Sequence, residues 1–387
     1  MTGFRKYIKN NKMVGLAPMD GVTDEPMRLL QAKIAKPDVI FTEFVSAEGL
    51  SRGGIKLYQK LLYSPIERPI IAQLFGKDPE SFYKSAIILA ELGFDGIDIN
   101  MGCPSKKVSG HGSGAALIEN PALAKELIRA VKTGIKDWAE NKKMIFEIEL
   151  KEKILKVIED NKSYAKLAEW SRDSSTSLGM TDEVIENNKK YSRRGDSSPP
   201  AGGFRMTTRP TVSVKTRLGI NSCVIEKWIS VLLKEKIDIL TVHGRTLKQA
   251  YAGKADWEKI SEVVKMAKGS GVLIWGNGDI GFRKEAEKYI KKYKVDGILI
   301  GRKAIGNPWI FEDKVRKINQ TEKFKTMLLH SQIFAKTFPK RKMDCLRSKF
   351  LAYTKGLPNA KKLRSRIVAI SSIKDLLDVK KEFCGVN

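Results

Sequence analysis

The sequence predicts a (β/α)8 TIM barrel carrying a C-terminal all-helical domain, with an insertion between the fourth and fifth strands. Three observations predict it. Eight short runs rich in Val, Ile and Leu alternate with helical patterns, and runs of that kind suit parallel strands buried on both faces. Strand and helix alternating eight times is the pattern of a closed barrel; a doubly wound sheet of eight strands is the alternative. Past the eighth run, residues 312–387 read as several helices with Leu, Ile and Phe on one face.

The runs, in order, are Met13–Pro18, Asp38–Phe44, Pro69–Phe75, Asp95–Asn100, Pro210–Thr216, Ile237–His243, Val272–Gly276 and Asp296–Gly301. Helical stretches such as Pro79–Leu92, Pro121–Ile135, Trp257–Lys268 and Arg283–Lys292 lie between them. The interval between the fourth and fifth runs is far too long for one helix. It holds a charged helical stretch at about Asn141–Trp170, then Ser171–Ser177 and Ser192–Gly203, rich in Ser, Gly and Pro. Such segments bury little apolar area and often stay disordered. Residues 137–209 are therefore read as an insertion, partly helical and partly disordered. It follows a helix and precedes a strand, so it is expected on the N-terminal face, opposite the face where barrel enzymes work. The domains are then a barrel over 1–311 and a helical domain over 312–387. No internal repeat is apparent.

Composition narrows the function. The four cysteines, Cys103, Cys223, Cys345 and Cys384, form no Cys-x-x-Cys pair, which argues against a disulfide framework and for a reducing compartment. No secretory signal opens the chain and no run of about 18 apolar residues occurs, so the expected location is cytoplasmic. The net charge of +27 points to a polyanionic partner. From Glu312 to the end there are 19 Lys/Arg against 7 Asp/Glu, so the tail carries much of the excess.

Polar and special residues gather where the predicted strands end: Pro18, Met19, Asp20, Glu43, Gln73, Asn100, Cys103, Lys215, Arg217, His243, Arg245, Asn277, Asp279 and Arg302. Barrel catalysis draws its groups from that rim. Gly276-Asn277-Gly278-Asp279 and Gly301-Arg302 follow the last two strands, where glycines let backbone N–H groups approach a phosphate. Lys215 could stabilise negative charge on a reduced flavin ring. Cys103 lies on a rim loop before a proline and Lys106-Lys107, where a thiol could donate a proton to carbon. Gly110-His111-Gly112-Ser113-Gly114 reads as a flexible loop over the rim. No His/Asp/Glu cluster has metal-ligand spacing, so no metal is expected.

In order along the chain, Leu16-Ala17-Pro18-Met19, Gln73-Leu74-Phe75-Gly76, Asn100-Met101-Gly102-Cys103-Pro104-Ser105-Lys106-Lys107, Val214-Lys215-Thr216-Arg217, Val242-His243-Gly244-Arg245-Thr246, Gly276-Asn277-Gly278-Asp279-Ile280, Ile300-Gly301-Arg302 and Lys355-Gly356-Leu357-Pro358 together resemble the tRNA-dihydrouridine synthases of bacterial type. The resemblance implies FMN, reduced by NADPH, and a tRNA substrate. It implies hydride delivery to C6 of a uracil and protonation of C5 by Cys103. Pro18, Met19 and Asp20 would line the flavin; Gln73, Lys215 and His243 would contact its ring or ribityl chain. Asn277, Gly278, Asp279, Gly301 and Arg302 would hold its phosphate end. Asn100, Lys106, Lys107, Arg217 and Arg245 would face the substrate. The tail departs from the family pattern: Lys349 and Ala352 stand where relatives usually carry His and Trp. The chain is expected to act as a monomer. Two other readings remain: a flavin barrel acting on a free pyrimidine, of the dihydroorotate or dihydropyrimidine dehydrogenase type, and a non-catalytic RNA-binding barrel.

Overall fold

The computed structural model describes residues 12–105, 112–140, 152, 154, 156, 157, 159–164 and 209–385. Eight parallel strands close into one barrel in sequence order, β1 back to β8. They are β1 (Met13–Leu16), β2 (Ile40–Ser46), β3 (Ile70–Phe75), β4 (Gly96–Met101), β5 (Thr211–Arg217), β6 (Ile239–His243), β7 (Leu273–Asn277) and β8 (Gly297–Ile300). All eight coincide with the predicted apolar runs to within two residues, and the doubly wound alternative is excluded by the β1–β8 pairing.

A device repeated four times holds the bottom of the barrel. Asp38, Asp95, Asp238 and Asp296 stand just before the even-numbered strands. Each accepts the backbone N–H of the preceding strand: Val14 at 2.8 Å, Ile70 at 2.8 Å, Val212 at 2.8 Å and Ile274 at 2.9 Å. The same residues' carbonyls accept the N–H of those four aspartates. The pattern is an internal repeat that the sequence analysis did not find. Its trace is Asp-x-Ile or Asp-x-Leu at Asp38-Val39-Ile40, Asp95-Gly96-Ile97, Asp238-Ile239-Leu240 and Asp296-Gly297-Ile298.

Side chains alternate across a strand, so every second residue points into the barrel. Near its N-terminal end the interior is apolar, built from Met13, Val39, Phe41, Ile71, Ile239, Trp275 and Leu299. Trp275 fits because Gly297 faces it; a Cβ there would lie 2.8 Å from the indole. Toward the C-terminal end the interior turns polar. On the outside, helices Glu25–Ile34, Pro79–Glu91, Pro121–Ala139 and Trp257–Met266 begin on Asp24, Asp78, Asn120 and Asp256, whose side chains cap the third residue of each helix.

The tail forms helices Gln320–Thr337, Arg347–Tyr353, Ala360–Val368 and Ile373–Cys384. Phe324, Met327, Leu328 and Phe350 share a core with Leu29, Leu30 and Ile34 of the first barrel helix. Lys349 is buried at this seam, paired with Asp24. Gly306 comes so close to the tail that a Cβ on it would lie 2.5 Å from the Ala352 carbonyl carbon, and its φ is +67°. Lys349 and Ala352 therefore face the barrel.

The stretch read as an insertion is not uniform. The helix before it continues to Ala139. The described residues of 152–164 are helical. Ile154 and Val157 join the barrel core, and Tyr164 joins the seam. Asn161 accepts the Tyr63 N–H at 2.9 Å, below β3. Ser171–Ser177 and Ser192–Gly203 lie outside the described residues.

Candidate active site

The strand registers bring the predicted rim residues together. Asn100 pairs with Lys215, Arg217 with His243, and His243 with Asn277. Gln73 lies beside Asp98 on β4. All of these stand at inward positions at the C-terminal end, where the barrel interior becomes polar.

The β4 loop is pinned from beneath. Asn100 Oδ1 accepts the backbone N–H of Gly102 at 3.1 Å and of Cys103 at 2.9 Å. Its Nδ2 donates to Gln73 Oε1 at 3.0 Å, and Gln73 Nε2 donates to Asp98 at 2.6 Å. Cys103 is half-buried. Burial pushes its thiol up and Asp20 adds to that, while a hydrogen bond to the Ser105 backbone, then Arg217 and Lys215, pull it down only in part. The group therefore keeps its proton at neutral pH.

Cations crowd the adjoining wall, on the next two strands. Burial, then Arg217, pushes Lys215 down to about 8, against the pull of Asp98 and Cys103. Burial, then Lys215 and the arginines 217, 245 and 302, pushes His243 down to about 2. His243 is thus neutral. Arg245 Nη1 lies 3.2 Å from His243 Nε2, and a guanidinium can only donate. Nε2 must then be the acceptor, which places the ring proton on Nδ1.

Arg217 and Arg245 hold loops together. Arg217 donates to the carbonyls of Gly102, Thr246 and Ala250. Arg245 is buried and donates to Gly253 O and to both Asp279 oxygens, at 2.7 and 2.5 Å. Asp279 in turn lies 3.6 Å from Arg302, whose guanidinium sits 4.2 Å from the Tyr251 ring centroid. Despite partial burial, its hydrogen bonds and the two arginines hold the Asp279 carboxyl below its usual range.

The two glycine turns differ: one is packed against protein and the other has room beside it. Gly278 has φ +131°, and a Cβ there would meet Ala255 at 2.6 Å and the His243 ring at 3.2 Å. Gly301 faces Ala17 and Met19 sulfur, each 3.7 Å from where a Cβ would sit. Asn277 Nδ2 crosses to Leu299 O at 2.8 Å. Pro18 and Met19 are half-buried and Asp20 exposed. Lys60, absent from the predicted site, ties that wall together. It lies 3.2 Å from Asp20 and 3.6 Å from Glu43, which also accepts the Gly21 N–H at 2.6 Å.

Sequence reasoning also missed Asp98, Ser213 and Tyr251. Asp98 could have been found by counting inward positions, since it alternates with Ile97 and Ile99 on the same face as Asn100. Lys106, Lys107 and the start of the Gly110–Gly114 loop lie outside the described residues. Among the described residues no group of three or more His, Cys, Asp or Glu could hold a metal ion. No helix among them is long and apolar enough to cross a membrane.

The family described as dihydrouridine synthase (Dus) matches residues 15–160 and 205–383. The unmatched interval, 161–204, is shorter than the insertion read from sequence, in keeping with the packed residues 154 and 157. A probable tRNA-dihydrouridine synthase 2 from Bacillus subtilis (strain 168) is 31% identical over 373 residues, covering 94% of this chain and 92% of its own. A probable tRNA-dihydrouridine synthase from Staphylococcus aureus (strain COL) is 30% identical over 376 residues, 95% and 92% of the two chains. A solved old yellow enzyme homologue from Zymomonas mobilis covers 80% of this chain and 92% of its own at 13% identity, with a TM-score of 0.43, too loose a likeness to argue from.

Proposed function

The chain belongs to the dihydrouridine synthase family, and from that premise we propose that it reduces uridines in tRNA to 5,6-dihydrouridine, with FMN as flavin, NADPH as reductant and Cys103 as proton donor. The residues present fit FMN. Lys215 and neutral His243 line one side of the mouth, and Pro18 and Met19 the other. Gly301 leaves space that a Cβ would narrow, and Gly278 lets its turn pack against Ala255 and His243. Arg302, at the end of β8 and oriented by Asp279, supplies positive charge for a phosphate. When bound and reduced by NADPH, FMN would supply a hydride to C6 of the uracil.

The remaining work belongs to the chain. Gln73 and Lys215 orient the flavin ring, and the Lys215 ammonium favours the negative charge that reduction brings. Asn100 holds the Cys103 loop in place. Cys103 gives its proton to C5, and Arg217 and Arg245 keep the loops around the base in register. Lys106 and Lys107 complete the substrate side. The uridine must leave its stack to enter, at a cost of about a few kcal/mol. The basic tail offsets that cost through the RNA backbone.

One observation carries this reading: a half-buried thiol that keeps its proton stands on a pinned loop near a half-buried lysine whose charge is held down. The test compares wild-type protein with Cys103→Ala on unmodified tRNA and on free uracil. Wild type is expected to bind FMN and form dihydrouridine in tRNA alone. The variant is expected to keep flavin and tRNA but lose about 100-fold or more in turnover. Equal turnover by the variant removes the role of Cys103. Reduction of uracil but not of tRNA transfers the assignment to free pyrimidines.

A further inference from the structure

We infer that Asp98, a carboxylate at the floor of the barrel mouth, is a positioning residue that sets the placement of Cys103 through a hydrogen-bond chain of fixed direction. The chain starts at Ser213, whose hydroxyl donates to Asp98 Oδ1 at 2.5 Å. It passes from Gln73 Nε2 to Asp98 Oδ2 at 2.6 Å, and from Asn100 Nδ2 to Gln73 Oε1 at 3.0 Å. It ends where the Gly102 and Cys103 N–H groups donate to Asn100 Oδ1. Asp98 and Ser213 are 0% exposed, Gln73 1% and Asn100 6%, so water is poorly placed to take over a missing partner.

The direction is forced at both ends. Backbone N–H groups can only donate, so Asn100 must turn its oxygen to the loop. Its nitrogen then faces Gln73, which must offer oxygen and so turn its own nitrogen toward β4. An ionised carboxylate, an acceptor only, satisfies that last donor. Each amide thus has one orientation, and the chain closes without a donor facing a donor. Without an acceptor at position 98, Gln73 Nε2 is buried and unpaired, which costs about 1–3 kcal/mol. Gln73 is then free to turn, Asn100 follows, and the Cys103 backbone loses its anchor.

This inference uses the proposed role of Cys103 for its kinetic readout but not for its chemical one. Three proteins are compared: wild type, Asp98→Ala and Asp98→Asn. Asparagine can turn its oxygen to Gln73 and its nitrogen to the Ser213 hydroxyl, so it preserves the direction. Cys103 alkylation by iodoacetamide is followed by peptide mass spectrometry, which separates it from the exposed Cys223 and Cys345. Expected is a change of about threefold or more in the Cys103 rate for Asp98→Ala, with Asp98→Asn close to wild type. On tRNA, kcat for Asp98→Ala is expected to fall about 10- to 100-fold, as for other small misplacements of a reacting group. KM should move less than about twofold, and Asp98→Asn should recover most of the loss. Should Asp98→Ala not fold, Asp98→Leu keeps the volume and carries the same comparison. Alkylation rates that match across all variants overturn the inference, as does an Asn variant as impaired as the Ala one. A wild type inactive on tRNA would sink the proposed function instead, and the alkylation comparison would still decide the role of Asp98.

Discussion

Lys215 and His243 share one wall of the barrel mouth, and burial takes charge from both to different degrees. His243 is held near 2 and so is neutral throughout the working range. Lys215 is held near 8, so its charge changes within reach of experiment. The oxidised flavin ring proposed to sit beside it offers acceptor oxygens and nitrogens, which an ammonium with three N–H donors meets better than a neutral amine. Flavin affinity is therefore expected to be highest below pH 8 and to fall as pH rises through that value. Fluorescence quenching of FMN against pH measures this, and Lys215→Met should bind more weakly with a flat profile between pH 7 and 10. A wild-type affinity constant over that interval removes Lys215 from the flavin site. The flavin-free protein should behave in the opposite sense. Its lysine is held below the usual 10.5, so burying the charge costs stability below about pH 8, and that cost is relieved as pH climbs to 10.5. Lys215→Met is thus expected to raise the melting temperature of the flavin-free protein at pH 7 and to do so less at pH 10.

The strands were legible because a parallel barrel buries both faces, and a run such as Ile237-Asp238-Ile239-Leu240-Thr241-Val242-His243 shows its apolar content directly. What stayed hidden was the purpose of its polar exceptions. Asp238 reads as the edge of a run, yet it receives the Val212 N–H at 2.8 Å. Asp98 reads as one more strand residue, yet it closes the chain under Cys103. In both cases the partner lies on a neighbouring strand, far away in sequence, so the local pattern marks the aspartate but not what it binds. The rim residues were legible because a strand end fixes their position without any partner being known. The tail seam was not: Lys349 stood out only as a departure from the family pattern, while it is buried against Asp24. The fourfold aspartate device makes its own prediction. Asp238→Ala leaves the Val212 N–H without its acceptor and should lower unfolding stability by about 1–3 kcal/mol in urea denaturation. Flavin binding at 20 °C or so should be unchanged, because the device sits at the barrel end away from the mouth. A variant as stable as wild type would show that the repeat has no bearing on stability.

At the scale of the whole molecule, the barrel and the tail share apolar surface, and this decides how RNA binding can be tested. Deleting the tail from Glu312 would expose Leu29, Leu30 and Ile34, which are almost fully buried beneath Phe324, Met327 and Leu328. Such a protein would lose solubility and reveal nothing about RNA. Changing charge on the outer side leaves the seam intact. Lys361 and Arg364 are exposed on helix Ala360–Val368, which turns Leu363 and Ile367 inward. If this face follows an RNA backbone, each lost phosphate contact removes a released counterion. Lys361→Ala with Arg364→Ala is therefore expected to weaken tRNA binding most at low salt. The slope of log Kd against log salt should decrease by up to about two units, between the duplex and single-strand values per contact. Turnover at saturating tRNA should stay near wild type, because neither residue is among those that meet at the strand ends. An unchanged salt slope would move the RNA-binding face away from this helix, to other exposed basic residues from Glu312 onward.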